Sequence, residues 1–219
     1  MNQRIKWMLI YSTVLSVALL ITRITISERI TFIFMIWNLF LAWIPFLITQ
    51  KVLNKPSFKN STLLFTLGFG AWLVFFPNAP YMLTDLFHLE LRPYIPLWFD
   101  LALLLSFAWT AMLLAYLSLK DMFYFLSLRM KLRYAFPIML FVIALSGYGI
   151  YLGRYGRFNS WEILTNPLEL SETIFHTFIH PIRNRDVYYI SGIMSAILFM
   201  FFGSLYALTQ PLKSSENEH

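Results

Sequence analysis

Six runs of apolar residues, at 7–22, 30–49, 62–76, 97–119, 134–152 and 188–208, take up most of this chain and constrain it more than any motif does. A hydrocarbon core of roughly 30 Å is crossed by about 20 helical residues, because each residue advances about 1.5 Å. Within the runs the apolar residues are continuous and do not alternate, which is the pattern of a helix in lipid and not of a half-buried strand. The runs 7–22 and 62–76 are short and need interfacial residues or local bilayer thinning to complete a crossing. Of the 219 residues, 58% are hydrophobic and 13% charged. A soluble domain carries about 25% charged residues, so this chain lacks the polar surface to cover a body in water. The predicted fold is all-α: a polytopic membrane helix bundle, one transmembrane domain over 1–212, then a polar cytoplasmic tail at 213–219 expected to be disordered. Run 7–22 follows Arg4 and Lys6 and shows no small-x-small cleavage site before Arg23. It reads as an uncleaved first helix, not a secretory signal.

Charge placement gives the orientation. With the N-terminus cytoplasmic, 10 of the 17 lysines and arginines fall inside and 7 outside. The three short central loops hold 3, 1 and 4 of them, an in-out-in alternation. Eight of the 11 acids fall outside, so the outer segments net −1 and the inner ones +7. Both termini are therefore expected in the cytoplasm, with the basic excess beside anionic lipid. This placement argues against nucleic acid as the partner of a chain of net charge +6 and leaves the lipid bilayer as the partner the sequence implies. Cysteine is absent, which removes disulfides, thiolate metal sites and thiol nucleophiles.

Ionised groups at bilayer depth are costly, and none of the six runs carries one near its middle. Polar residues gather instead at the helix ends assigned to the outside. Asn38 lies within the second run and is expected to hydrogen-bond a neighbouring helix, with Pro45 bending that helix near its inner end. The third run ends in Phe75-Phe-Pro-Asn-Ala-Pro-Tyr81, followed by Thr84, Asp85, His88, Glu90 and Arg92. Its two prolines predict a helix stop and an extended turn. Asp85 and His88, three apart, share a face on a short helix. A carboxylate beside an imidazole suits general-base chemistry or, less specifically, metal binding, while a solvated loop with an Asp cap explains the same residues without chemistry. Asp100 opens the fourth helix, where an acid complements the helix dipole. The fifth run ends in Gly147-Tyr-Gly-Ile-Tyr-Leu-Gly153 and delivers Arg154, Arg157 and Asn159. Gly149 and Gly153 form a small-xxx-small surface for close packing. The two arginines offer either guanidinium forks for an anion or simple snorkelling to headgroups. The connection from about 153 to 187 is expected to hold an amphipathic surface helix. His176 and His180, four apart, lack the intervening Glu of a zinc protease and read as part of that surface, so no metal site is assigned. Gly68-Phe-Gly-Ala-Trp-Leu73 echoes Gly147-Tyr-Gly-Ile-Tyr-Leu152, a possible trace of a parallel repeat.

On Asn38-Leu-Phe-Leu-Ala-Trp-Ile-Pro45, on Phe75-Phe-Pro-Asn-Ala-Pro-Tyr81 with Thr84, Asp85 and His88, and on Gly149-Ile-Tyr-Leu-Gly-Arg154 with Arg157, Asn159, Ser160 and Trp161, the chain resembles a family of bacterial predicted membrane proteins, the domain of unknown function 1361. The resemblance runs from the second helix onward. It implies a bacterial inner-membrane protein and supplies no reaction, ligand, cofactor or active residue. Trp37 stands where the resemblance leads one to expect an arginine before Asn38.

Three functions stay open at this level. The first is an outward-facing catalytic or ligand-binding site, with Asp85 and His88 as catalytic candidates and Asn78, Asp100, Arg154, Arg157 and Asn159 as ligand-binding candidates. It requires Asp85 and Arg154 to lie within contact reach. The second is a small transporter or channel component, which usually places ionisable groups near the midplane. The third is a non-catalytic scaffold or assembly partner anchored by its 19% aromatic residues.

Overall fold

The structure, a computed structural model, describes residues 3–160 and 162–209; Trp161 and the tail 213–219 lie outside the described residues. Helix α1 spans Gln3–Ser27 and α2 spans Phe34–Leu47, the latter widening into a π-helical turn at Ile48–Val52 just after Pro45. A short α3 (Pro56–Asn60) leads to α4 (Thr62–Phe75). Next come a single turn, α5 (Asn78–Tyr81), and a 3-10 helix at Met82–His88. Helices α6 (Leu97–Ser127) and α7 (Leu132–Arg154) follow, then α8 (Glu162–Thr165), α9 (Pro167–Ile179) and α10 (Arg185–Thr209).

Among the described residues six stretches are long and apolar enough to cross a membrane: Gln3–Ser27, Phe34–Lys51, Thr62–His88, Leu97–Ser127, Leu132–Arg154 and Arg185–Thr209. They correspond one to one with the six apolar runs but extend past them. Helix α1 continues through Arg23, and α6 continues through Lys120 and Asp121. Backbone hydrogen bonding does not stop at the first charge if that charge finds a partner.

Helix α6 is the centre of the bundle. It packs against α1, α2, α5, the 3-10 helix and α7, and buries Leu103, Phe107, Ala111, Leu114, Ala115 and Met122 along its length. Lipid removes the hydrophobic drive for helices to associate, so close packing and interhelical hydrogen bonds must supply it. Trp72 Nε1 of α4 donates to Ser118 Oγ of α6 at 2.7 Å. Thr110 of α6 shares hydrogen bonds with Ser12 and Ser16 of α1. At the far end, Thr49 and Gln50 donate to the Asp121 carboxylate. Helix α10 lies on α7, where Gly147 leaves the space taken by the Ser195 side chain and the Ser191 carbonyl. Ser195 Oγ also donates to Ala144 O of α7 at 3.2 Å.

The Pro-Asn-Ala-Pro segment differs from the extended turn its prolines suggest. Pro77 has φ −61° and ψ −21°, and caps α5 in helical conformation. Proline is tolerated in a first helical turn, where its missing N–H would have no partner anyway. Both prolines fall within that turn, so the chain bends and stays helical. The result is a short helical hook that turns Thr84 and Asp85 into the protein, where both are buried.

Candidate functional site

The C-terminal ends of α1 and α7, the N-terminal ends of α2, α6 and α10, and the hook with its 3-10 helix all meet at one end of the bundle. Residues three apart eclipse in a 3-10 helix, so Asp85 and His88 present to one side, and Arg154 from the last turn of α7 meets both. Arg154 Nη1 lies 2.9 Å from His88 Nε2 and 3.9 Å from Asp85 Oδ1. A guanidinium has only donors, so Nε2 accepts, and the imidazole is the neutral tautomer with its proton on Nδ1. Asp85 is 1% exposed; its Oδ2 accepts from Asn38 Nδ2 at 3.1 Å, and its Oδ1 has no hydrogen bond among the described residues. Phe34 stands edge-on to the His88 ring at 5.3 Å. Arg154 reaches this position because α7 runs close to the hook. A Cβ on Gly149 would lie 3.0 Å from Pro77, and one on Gly153 3.1 Å from the Tyr81 ring.

A second ion cluster lies on the other side of His88. Arg23, 1% exposed, forks onto Asp100 with Nε 2.8 Å from Oδ1 and Nη2 3.3 Å from Oδ2. Arg92 Nη1 reaches the same Oδ2 at 3.2 Å and its Nη2 donates to His88 O at 3.0 Å. The Phe32 ring packs against both guanidinium groups, at 4.5 Å from Arg23 and 4.7 Å from Arg92. A buried carboxylate with two cations and a buried cation with one carboxylate satisfy each other, and removing either strands a charge in a dry site.

Beside the Asp85 cluster lies a cavity of about 400 Å³ between α2, α4, the hook, α7 and α9. Its walls are largely aliphatic and aromatic, contributed by Leu41, Leu73, Val74, Leu145, Ile174 and Phe178 among others. Three asparagines, Asn38, Asn78 and Asn159, are among its lining residues. Each has its nitrogen engaged within the protein: Asn38 with Asp85, Asn78 with Phe75 O and Ser160 Oγ, Asn159 with Glu162 Oε1. Asn78 has both N–H groups engaged and can offer a ligand only its carbonyl oxygen, whereas Asn38 and Asn159 each have one N–H so engaged and can also donate.

The seven residues singled out from the sequence therefore divide. Asp85, His88 and Arg154 come together. Asn78 and Asn159 line the adjacent cavity. Asp100 belongs to the separate Arg23–Asp100–Arg92 cluster, joined to the first through His88, and is more than a dipole-complementing acid. Arg157 does not join either: it is exposed, in the left-handed region at φ 59°, so no paired fork with Arg154 forms. The His176 and His180 rings lie 4.8 Å apart and tilted at 59° at the end of α9, and no group of three metal-ligating side chains occurs among the described residues. Sequence reasoning missed Arg23 and Arg92. A usable signal existed for Arg23: a lone cation closing one apolar run at the same depth as a lone acid opening another.

Residues 37–205, well over half of the chain, match the model of a family described as protein of unknown function (DUF1361). Neither a curated protein nor a solved structure matches the chain.

Proposed function

The chain belongs to the DUF1361 family, and from that premise we propose that it is a ligand-binding protein of the bacterial inner membrane, holding an amphipathic molecule with hydroxyl or amino donors at its polar end. The cavity carries this reading. It is mostly apolar yet has three asparagines in its lining, a combination suited to a greasy tail and a polar, hydrogen-bonding head. The charge distribution supports an outward opening, since the basic excess lies at the opposite end. In this reading Asp85 is a positioning residue: it holds the Asn38 amide nitrogen so that the oxygen faces the ligand, and Arg154 balances its charge. Neither Asp85 nor His88 lines the cavity, so binding is favoured over catalysis.

The test uses full-length protein exchanged into a non-glycosidic detergent and titrated with octyl glucoside below its critical micelle concentration. A saturable rise in Tm is expected, absent with a zwitterionic amphiphile of equal chain length, and lost in Asn78→Ala and in Val74→Trp, which fills the cavity. An equal response to both amphiphiles, or one that survives both substitutions, sinks the proposal.

A further inference from the structure

At the opposite end of the bundle a second cavity, about 480 Å³, opens between α6, α7 and α10. Leu119, Phe123, Phe136, Met139 and Phe202 contribute to a lining that is almost wholly apolar. Its existence follows from how α10 is attached. That helix lies along α7 but touches α6 at few places, so a wedge remains between them. Tyr116 of α6 spans the wedge, its hydroxyl donating to Leu205 O at 3.1 Å and meeting the Thr209 hydroxyl. Gly203 of α10 widens it, since a side chain there would meet nothing within 4 Å.

Among the described residues only two charged ones line this wedge, and both are cations: Lys120 from α6 and Arg133 from the first turn of α7. Both are exposed, and neither makes an ion pair among the described residues. The adjacent acid, Asp121, is turned to Thr49 and Gln50 beside α2 and is spent there. Arg133 rests over the Tyr134 ring at 4.8 Å, an aromatic shelf that steadies its head. The α6–α7 turn at 128–131 adds Arg129 and Lys131 to the same end. Long cationic side chains near helix ends place their heads at headgroup depth while their stems cover apolar surface.

We infer that the wedge between α6, α7 and α10 is a binding site for an anionic phospholipid, one acyl chain lying against Phe136, Met139 and Phe202 and the phosphate held between Lys120 and Arg133. Charge complementarity selects this occupant. Two cations with no acidic partner among the described residues, at the mouth of an apolar slot, disfavour a zwitterionic lipid, whose own ammonium would face them, and leave an apolar peptide with nothing to neutralise them. The site is independent of the cavity near Asp85, which shares no lining residue with it.

Native mass spectrometry of the delipidated full-length protein, given equimolar phosphatidylglycerol and phosphatidylcholine, reads this directly. At least a fivefold excess of the first phosphatidylglycerol adduct over the phosphatidylcholine adduct is expected. Lys120→Gln with Arg133→Gln should bring the ratio close to one while leaving lipid binding overall; both positions are exposed and make no ion pair among the described residues, so the fold is retained, and a monodisperse elution profile checks it. Gly203→Phe should lower the first adduct of either lipid by filling the wedge. Equal adducts in the native protein overturn the proposal as non-selective annular binding. A preference that survives the double substitution overturns it as well, by placing the anion on other basic residues.

Discussion

Helices α6 and α10 are nearly equal in hydropathy, 1.9 and 1.8 over their most apolar stretches, yet 61% of that stretch is buried in α6 and 11% in α10. In water, equal hydropathy would imply similar burial. In lipid it implies only that both segments can cross, because a lipid tail accepts a leucine as readily as a neighbouring helix does. What separates the two is the pattern of small and hydroxyl residues. Helix α6 places Ala108, Thr110, Ala111, Ala115 and Ser118 on packed faces, and these let other backbones approach and give them hydrogen bonds. Helix α10 turns Tyr189, Ile193, Phe199 and Met200 outward and rests mainly on a seam against α7, with a few contacts to α6. Centrality in this bundle is a property of where the small residues lie.

The comparison breaks first at the charged end of α6. Asp100→Ala leaves Arg23 buried without its carboxylate and takes one of the partners of Arg92, an expected loss of about 3–5 kcal/mol. Unfolding of the detergent-solubilised protein by increasing SDS fraction measures it. No comparable cost is available on α10, whose one ion pair among the described residues, Arg185 with Asp186, is exposed on both sides. A loss below about 1 kcal/mol would mean that water reaches Arg23 and that α6 is less central than its packing indicates.

A smaller effect is expected where α10 meets α7. Gly147→Leu forces a side chain into the space of Ser195 and the Ser191 backbone, which cannot yield without moving the helix. Overpacking of this kind costs about 1–3 kcal/mol. Because α10 is held mainly by this seam, the loss should be local. Cysteines introduced at Ala144 and Ser195 should cross-link in the parent and fail to do so with Gly147→Leu, while a second pair bridging α1 and α6 stays competent. Loss of both cross-links would show that α10 is structurally coupled to the core.

Much of this architecture is legible in the residues. The six runs announce six spans, and their flanks place Asp85, His88 and Arg154 at one end, where the structure brings them into contact. Two kinds of information are not local and were lost. Arg23 ends an apolar run, so hydropathy closes the helix at Thr22; a charge that is neutralised by a partner 77 positions away allows the helix to continue. The Asp85-side cavity is likewise formed by the return of α9 across α4 and α7, and nothing in the amphipathic pattern of 167–179 says which surface it will cover. The prolines at 77 and 80 were misleading for a third reason. Their effect depends on position within a turn, and in the first turn of a helix proline is compatible with helical geometry. The echo between 68–73 and 147–152 does not extend to packing: Gly68 faces Leu53, whereas Gly147 faces α10.

The finest test compares one side chain from each helix. Ser118 of α6 is fully buried and accepts the Trp72 Nε1 hydrogen at 2.7 Å; Met200 of α10 is 66% exposed and faces lipid. Ser118→Ala removes only one oxygen, yet it leaves a buried indole N–H without a partner, which costs about 1 kcal/mol inside a membrane. Met200→Leu alters more atoms but trades one lipid contact for another and should fall within about 0.5 kcal/mol of the parent. Trp72→Phe in the Ser118→Ala background should add less than it does alone, because the interaction is already gone. Measured by the same SDS titration, a deficit for Ser118→Ala larger than that for Met200→Leu, with the double substitution less than additive, follows if interhelical polar contacts make α6 the core. Equal small effects would mean that packing of the alanines alone, with no contribution from the hydroxyls, keeps that helix at the centre.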